Sequence, residues 1–266
     1  MFKVAIVNSK GGVGKSTLTT NIAAWYASQG CKTAILDHDS QGSSSFWASK
    51  RPPQVNPVQA IEAFKEPYGM TRSFYLKPEA GTQVLLTDTP AGIDLMRFQT
   101  PLKEADAILI PVLPSAIDIH AVAHFLRDLF LIGQLPRSSA NIAVVANRVR
   151  KNTRIYQTLE VFLNRLEIPF VGTLRDSQNY IQAAASGLGV CELTKSRFAL
   201  EKPGLLPLLD WLHALDTTSS LLPTPADSFA PRSAESQTSE IQKQPSKTVG
   251  NNTTTFDQLC GQNTTL

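Results

Sequence analysis

Eight consecutive residues, Lys10-Gly11-Gly12-Val13-Gly14-Lys15-Ser16-Thr17, combine three glycines, two lysines and two hydroxyls. Glycines, lacking a Cβ, let a backbone wrap closely around a phosphate with several N–H groups pointing inward. A lysine at position 15 can reach the β- and γ-phosphates of a nucleotide, and the Ser16 hydroxyl can join a Mg²⁺ shell. The stretch follows the apolar run Phe2–Val7 and opens a helical pattern at Lys15, with Leu18, Ile22, Trp25 and Tyr26 at three- and four-residue steps. Such a helix brings the positive end of its dipole to the phosphates. These residues predict an ATP-binding phosphate loop from Lys10 to Thr17, with Mg²⁺ as the second cofactor. The general form of the loop has glycine where this chain has Ser9.

Three more polar clusters end apolar runs. Asp37-His38-Asp39-Ser40-Gln41-Gly42 follows Thr33–Leu36, Asp88-Thr89-Pro90-Ala91-Gly92 follows Val84–Thr87, and Asn147 to Lys151 follow Ile142–Ala146. Phosphoryl transfer needs an oriented nucleophile and neutralised charge more than covalent help. Carboxylates at strand ends suit that work, and the Asn147 amide can both donate and accept.

The octet resembles the deviant Walker A box of the ParA/MinD family, whose extra lysine falls on Lys10. Asp37–Gly42 resembles the family's D-x-D-P-Q-G switch, with Ser40 in place of the proline. The serine lacks proline's locked φ and removes no catalytic group. Val84–Asp88 resembles Walker B, and Thr89–Gly92 the second switch. The resemblance implies that Lys10 reaches across an ATP-sandwich homodimer to the partner's phosphates. It implies too that Asp39 positions the attacking water, Asp37 supports the Mg²⁺ shell, Asp88 holds a Mg²⁺-bound water, and Asn147 contacts adenine. Catalysis then falls to Lys10, Lys15 and Asp39. Nucleotide binding falls to Lys10, Gly11, Gly12, Val13, Gly14, Lys15, Ser16, Thr17 and Asn147, and metal binding to Ser16, Asp37 and Asp88. Two facing ATP molecules concentrate negative charge, which a lysine from each side would neutralise.

Residues 141–202 hold nine lysines and arginines against five acids, while the segment from Thr217 is close to neutral. A basic excess can neutralise phosphates without reading sequence. ParA-like proteins bind nonspecific DNA as ATP dimers; the resemblance puts Arg175 forward as a DNA contact, and the basic excess adds Arg148, Lys195 and Arg197. It implies a cytoplasmic, nucleoid-associated ATPase that positions or segregates a cargo. The cargo would be a protein assembly such as a chemotaxis array or carboxysome, or a plasmid or chromosome. A small adaptor protein on the cargo would stimulate hydrolysis. The Asn147–Arg150 and Leu174–Tyr180 segments favour the protein-cargo members. The alternatives are a MinD-like membrane-binding division-site regulator and a metabolic P-loop enzyme acting on a small molecule. The first needs a C-terminal amphipathic helix, whose Lys/Arg-bearing pattern the last residues lack, so no membrane is expected. The second has no need of Lys10.

The elements that must position these groups are short apolar strands alternating with helical patterns. Strands are expected at Phe2–Val7, Thr33–Leu36, Val84–Thr87, Ala107–Val112 and Ile142–Ala146, with a short extended piece at Pro169–Gly172. Helices are expected from Lys15 to Gln29, from a Ser115 cap to about Ile132, near Thr153–Leu166 and Ser177–Ser186, and over Lys195–Leu215. Wholly apolar strands between helices indicate a parallel sheet covered on both faces. The fold class is α/β, a P-loop NTPase with a mostly parallel sheet flanked by helices and a disordered C-terminal tail. Its ligand should lie beyond the carboxyl ends of the strands. The ATPase domain is placed at 1–216. A polar tail rich in Ser, Thr, Gln, Asn and Pro is placed at 217–266, too poor in large apolar groups to order itself.

The 266 residues, 42% of them hydrophobic, are enough for a sizeable core. No signal peptide or membrane span is read from the sequence, and nothing before Phe2 could hold a helix-turn-helix domain. Cys31, Cys191 and Cys260 are far apart, which argues against a disulfide framework, a zinc site or the paired cysteines of iron–sulfur relatives. His120 and His124, four apart, have metal-binding spacing but no Cys or third His nearby in sequence, where only Asp118 or Asp128 could help. Phe46-Trp47 reads as packing or interface.

Overall fold

The computed structural model describes residues 1–216 apart from Pro67, Met70, 136–140 and 166–167, so the tail expected at 217–266, with Cys260, lies outside the described residues. Seven strands form one sheet. They are β1 (Phe2–Ile6), β2 (Thr33–Asp37), β3 (Val58–Glu62), β4 (Val84–Asp88), β5 (Ala107–Val112), β6 (Ile142–Val149) and β7 (Phe170–Arg175). The order across the sheet is β3-β2-β4-β1-β5-β6-β7, and every pairing is parallel. The helices are α1 (Lys15–Ser28), α2 (Ser43–Ser49), α3 (Arg72–Tyr75), α4 (Gln99–Lys103), α5 (Ala116–Leu131), α6 (Arg154–Asn164), α7 (Gln178–Ala185) and α8 (Lys195–Leu215). A 3-10 turn, Val190–Glu192, precedes α8.

Side chains alternate across a strand, and here both faces are apolar. From β1 and the residue after it, Val4 and Ile6 enter one buried cluster, with Leu18 and Ile22 of α1 and Leu205, Leu208 and Leu212 of α8. Ala5 and Val7 enter the other, with Val122, Phe125 and Leu129 of α5 and Leu159 and Leu163 of α6. This double burial explains why the strands read as unbroken apolar runs. Ser115 starts α5 as expected, its hydroxyl accepting the Asp118 N–H at 3.1 Å.

The structure corrects several sequence-based boundaries. β3, α2, α3 and α4 were not anticipated. β3 is an edge strand with the mixed sequence VQAIE, pairing only β2. The sixth strand runs on to Val149 rather than stopping at Ala146, and its pairing with β7 is irregular between Ala146 and Val149. Asn147 is therefore inside the strand and not at its end. Arg148, next along, adopts a left-handed φ of 51°, sparsely populated for a residue with a Cβ.

α8 packs closely on β7. A Cβ on Gly204 would stand 1.9 Å from the Thr173 carbonyl oxygen of β7. That neighbour is backbone and cannot swing away. Gly204→Ala should lower stability by about 1–3 kcal/mol through overpacking, read as a lower denaturant midpoint at unchanged m value. A wild-type midpoint would show that α8 does not press on β7 as described.

Candidate nucleotide-binding site

The sheet order leaves β1 between β4 and β5, and the loop after β1 crosses their carboxyl ends. Its shape is fixed from several sides. Asn8 donates its amide to the Pro111 carbonyl at 2.8 Å and accepts the Lys10 N–H at 2.9 Å. The Gly92 N–H donates to the Ser9 carbonyl at 2.8 Å, tying this loop to the segment after β4. Gly14 caps α1 with φ 95°. The Asn147 amide donates to the Val13 carbonyl at 2.8 Å, and a Cβ on Gly14 would lie 1.9 Å from that amide nitrogen. Glycine is thus required at 14 for two reasons, its positive φ and the close approach of Asn147.

The two lysines diverge. Lys15 is buried, and its ammonium donates to the Lys10 carbonyl at 3.0 Å. Burial pushes its pKa down, while Asp88 and Asp39 oppose the shift. Lys10 points to the side, its ammonium 3.7 Å from Asp118 of α5 and about a third exposed. It borders an open cleft of about 510 Å³ whose walls include Ile93, Leu95, Met96 and Phe125.

Asp37 and Asp88 are paired in register on β2 and β4 and are both completely buried. Asp37 accepts the Asp39 N–H on one oxygen at 3.1 Å, and both the N–H and the hydroxyl of Ser45 on the other at 2.9 Å. Burial still raises its pKa, with these hydrogen bonds opposing. Asp88 is pushed up to about 6 by burial, against the hydroxyls of Ser44 and Ser16 and the charge of Lys15, with Asp37 adding to the rise. Its Oδ2 accepts the Ser44 hydroxyl. Its Oδ1 is buried without a hydrogen-bond partner. Two adjacent buried carboxylates, one with an orphaned oxygen beside the Ser16 hydroxyl, form a donor set suited to Mg²⁺, a hard cation that takes oxygen ligands. Asp39 is half-exposed, and its carboxylate accepts the Gln41 N–H at 3.0 Å in a turn closed by Gly42 N–H to the Asp39 carbonyl at 2.8 Å.

The structure therefore gathers Lys15, Ser16, Asp37 and Asp88 around one point. Asn147 is fully engaged at one N–H with Val13, and its oxygen accepts the Arg148 N–H at 2.9 Å. It buttresses the loop from β6. Ser44 and Ser45 were missed in the sequence. The signal was present as a serine run directly after Gly42, but a serine-rich stretch reads as a loop.

The basic residues of the carboxyl half are differently placed. Arg175 lies 3.7 Å from the buried carboxylate of Glu201 and donates to the Leu200 carbonyl at 3.2 Å. Arg197 donates to Gln182 at 2.7 Å, and Arg150 pairs with Asp176 at 2.6 Å. Arg148 and Lys195 are exposed. Arg175 is first a counter-charge for Glu201, so its loss would disturb packing as well as any DNA contact. Of the other pairs singled out in the sequence, Trp47 is buried, Phe46 is exposed under Lys50, and His120 and His124 lie side by side at 3.3 Å.

In the nucleotide-free chain, Asp88 binds its proton more tightly folded than unfolded. The stability this proton provides is full below pH ~4 and is lost as pH rises through about 6. The rise from 3.8 to about 6 corresponds to about 3 kcal/mol, at ~1.4 kcal/mol per tenfold change in proton affinity. Asp88→Asn should accordingly stabilise the nucleotide-free protein at pH 7.5, with the gain shrinking as pH falls to 4. Denaturation at both pH values checks this. A variant less stable than wild type at pH 7.5 would contradict the burial argument.

Residues 4–190 match the CobQ/CobB/MinD/ParA nucleotide binding domain. The maintenance of carboxysome distribution protein A of Halothiobacillus neapolitanus is 25% identical over 193 residues, spanning 72% of this chain and 88% of that one. Two solved structures share the fold. MinD cell division protein of Aquifex aeolicus has TM-score 0.56 at 20% identity, covering 84% of this chain and 100% of that one. The ATP complex of a Cyanothece McdA variant has TM-score 0.54 at 17% identity, covering 77% and 96%. Phosphate loop, strand-end acids, parallel sheet and family match agree, and the chain belongs to the CobQ/CobB/MinD/ParA family of P-loop nucleotide-binding proteins.

Proposed function

We propose that this protein is an ATPase that positions a large cargo by cycling between an ATP-bound homodimer on DNA and a released state. The observation that carries the reading is the divergence of the two lysines. Lys15 is drawn inward beside Asp88, where it serves its own nucleotide. Lys10 projects to the rim of the cleft, held only by a partly exposed ion pair with Asp118, of a kind worth little in water. A second copy facing this side would meet Lys10 together with apolar groups, among them Met96 and Ile117, each about seven-tenths exposed. Release of Lys10 from Asp118 to the partner's phosphates would exchange a weak pair for a strong charge-assisted contact. The likeness to a carboxysome distribution protein favours a protein assembly as cargo, with an adaptor on it that stimulates hydrolysis.

Within the site, the N–H groups of Gly11 to Thr17 cradle the phosphates, and Lys15 neutralises their charge. Ser16, Asp37 and Asp88 would hold Mg²⁺, which when bound supplies further charge neutralisation on the phosphate oxygens. Asp39 orients the attacking water from the half-exposed first switch, and Asn147 holds the loop against the base. Arg148 and Lys195, both exposed, are the DNA contacts best placed to meet phosphates, and no helix among the described residues is long and apolar enough to cross a membrane.

Two outcomes test the reading. In gel-shift titrations the ATP form should bind two unrelated duplexes alike, with affinity falling by ~0.9 log units per phosphate contact for each log unit of salt. Arg148→Ala should weaken both equally. If neither the ATP nor the ADP form binds duplex at low salt, DNA riding is wrong and the small-molecule enzyme becomes the better reading. Separately, Lys10→Ala should bind ATP as the wild type does yet remain monomeric in sedimentation, and Asp39→Ala should dimerise but release phosphate at least ~100-fold more slowly. An ATP-dimeric Lys10→Ala protein would remove the central support.

A further inference from the structure

Ser44 lies outside the phosphate loop, on α2, and its hydroxyl donates to Oδ2 of Asp88. It is itself fully buried. A carboxylate has two oxygens and rotates about one bond, so fixing one oxygen fixes the other. The oxygen that Ser44 leaves, Oδ1, is the buried one with no hydrogen-bond partner. The next residue, Ser45, grips Asp37 through its N–H and its hydroxyl. Two successive serines thus hold the two acids of neighbouring strands, each by a side-chain hydroxyl.

The helix that carries them is held firmly behind. Trp47 is buried and its indole N–H donates to the Leu188 carbonyl at 3.1 Å. Arg51, just past the end of α2, pairs with Glu192 at 2.7 Å with both side chains almost wholly buried, and donates to the Gly187 carbonyl at 3.1 Å. The 187–192 turn is in turn tied to α1, where Asn21 accepts the Val190 N–H at 2.8 Å and donates to the Thr17 carbonyl at 2.7 Å. The Ser44 hydroxyl is therefore delivered from a fixed support, whose far end returns to the phosphate loop.

We propose that Ser44 is a positioning residue for the metal, turning Asp88 so that Oδ1 is presented to Mg²⁺ or to a Mg²⁺-bound water. The proposal rests on the reading of Asp88 as part of a Mg²⁺–ATP site. Without the hydroxyl, Oδ2 loses its donor from α2 and the carboxylate is free to turn away from this orientation. The orphaned oxygen is then no longer held where a cation can use it, and cation affinity falls. The phosphates are still held by the loop and Lys15, so nucleotide binding without Mg²⁺ should be spared.

The test measures binding of a fluorescent ATP analogue to full-length protein in EDTA and across a Mg²⁺ titration, for wild type, Ser44→Ala, Asp88→Asn and the double variant. Ser44→Ala should bind the analogue in EDTA within twofold of wild type but need at least about 10-fold more Mg²⁺ for half-saturation, the loss of one hydrogen bond to a charged group. In the Asp88→Asn background the serine should make no further difference, because it acts through that carboxylate. Mn²⁺ binding followed by paramagnetic resonance should show the same pattern without turnover. An unchanged Mg²⁺ requirement in Ser44→Ala overturns the proposal, and so does an equal loss of affinity in EDTA, which would mark a structural role. A Mg²⁺ defect that persists undiminished in the Asp88→Asn background also overturns it. Wild-type protein whose nucleotide binding ignores Mg²⁺ would defeat the site reading itself, a result distinct from all of these.

Discussion

Asp37 and Asp88 end neighbouring parallel strands, in register, with no exposed surface on either side chain. Parallel pairing of β2 with β4 makes this juxtaposition unavoidable once both strands end in aspartate. A buried carboxylate is costly unless it is paired and hydrogen-bonded, and two together repel. Much of the surrounding structure answers that problem. Ser44 and Ser45 supply donors, and the charge of Lys15 and the Ser16 hydroxyl also favour the ionised Asp88. One oxygen remains unanswered. The chain keeps a destabilising arrangement at the point where it would bind a cation, as expected when function and stability compete for the same residues.

The rest of the fold serves to hold this cluster and the phosphate loop in fixed relation. β1 lies between the acids' strand β4 and the strand β5 that leads to α5, so the loop after β1 is flanked by Asp88 on one side and Asp118 on the other. The buttress formed by α2, the 187–192 turn and Asn21 connects the acids back to α1 through a buried ion pair and backbone hydrogen bonds. Removing one partner of such an ion pair costs ~3–5 kcal/mol, because the other charge is left buried and uncompensated.

Most of this plan was legible in the sequence, and the exceptions have physical reasons. β1, β2, β4 and β5 announced themselves because burial on both faces demands unbroken apolar runs. β3 did not, because an edge strand buries less and tolerates Gln59 and Glu62. α2 was hidden by its own function, since three serines discourage a helical reading while two of them are spent on the acids. The phosphate loop was found from residue type and spacing, and the acids and Asn147 from their places after apolar runs together with the family resemblance. Their partners were not, because Ser44 meets Asp88 and Arg175 meets Glu201 only after folding brings together residues 44 and 26 positions apart. The engagement of Arg175 is the clearest loss: composition registers a positive charge, and only the fold reveals that it is already matched.

The account centres on a buried acid pair completed by a cation that arrives with nucleotide, and thermal unfolding of the wild-type protein tests this most directly. Ligands that bind the native state raise its stability in proportion to the logarithm of their concentration over Kd. The account predicts that Mg²⁺ with ATP raises Tm well beyond ATP in EDTA, and beyond the sum of the separate effects of Mg²⁺ and ATP, because the cation and the phosphates complete one site. Equal Tm values for ATP with Mg²⁺ and ATP in EDTA would contradict it, since the two carboxylates would then be buried together for some reason other than holding a metal.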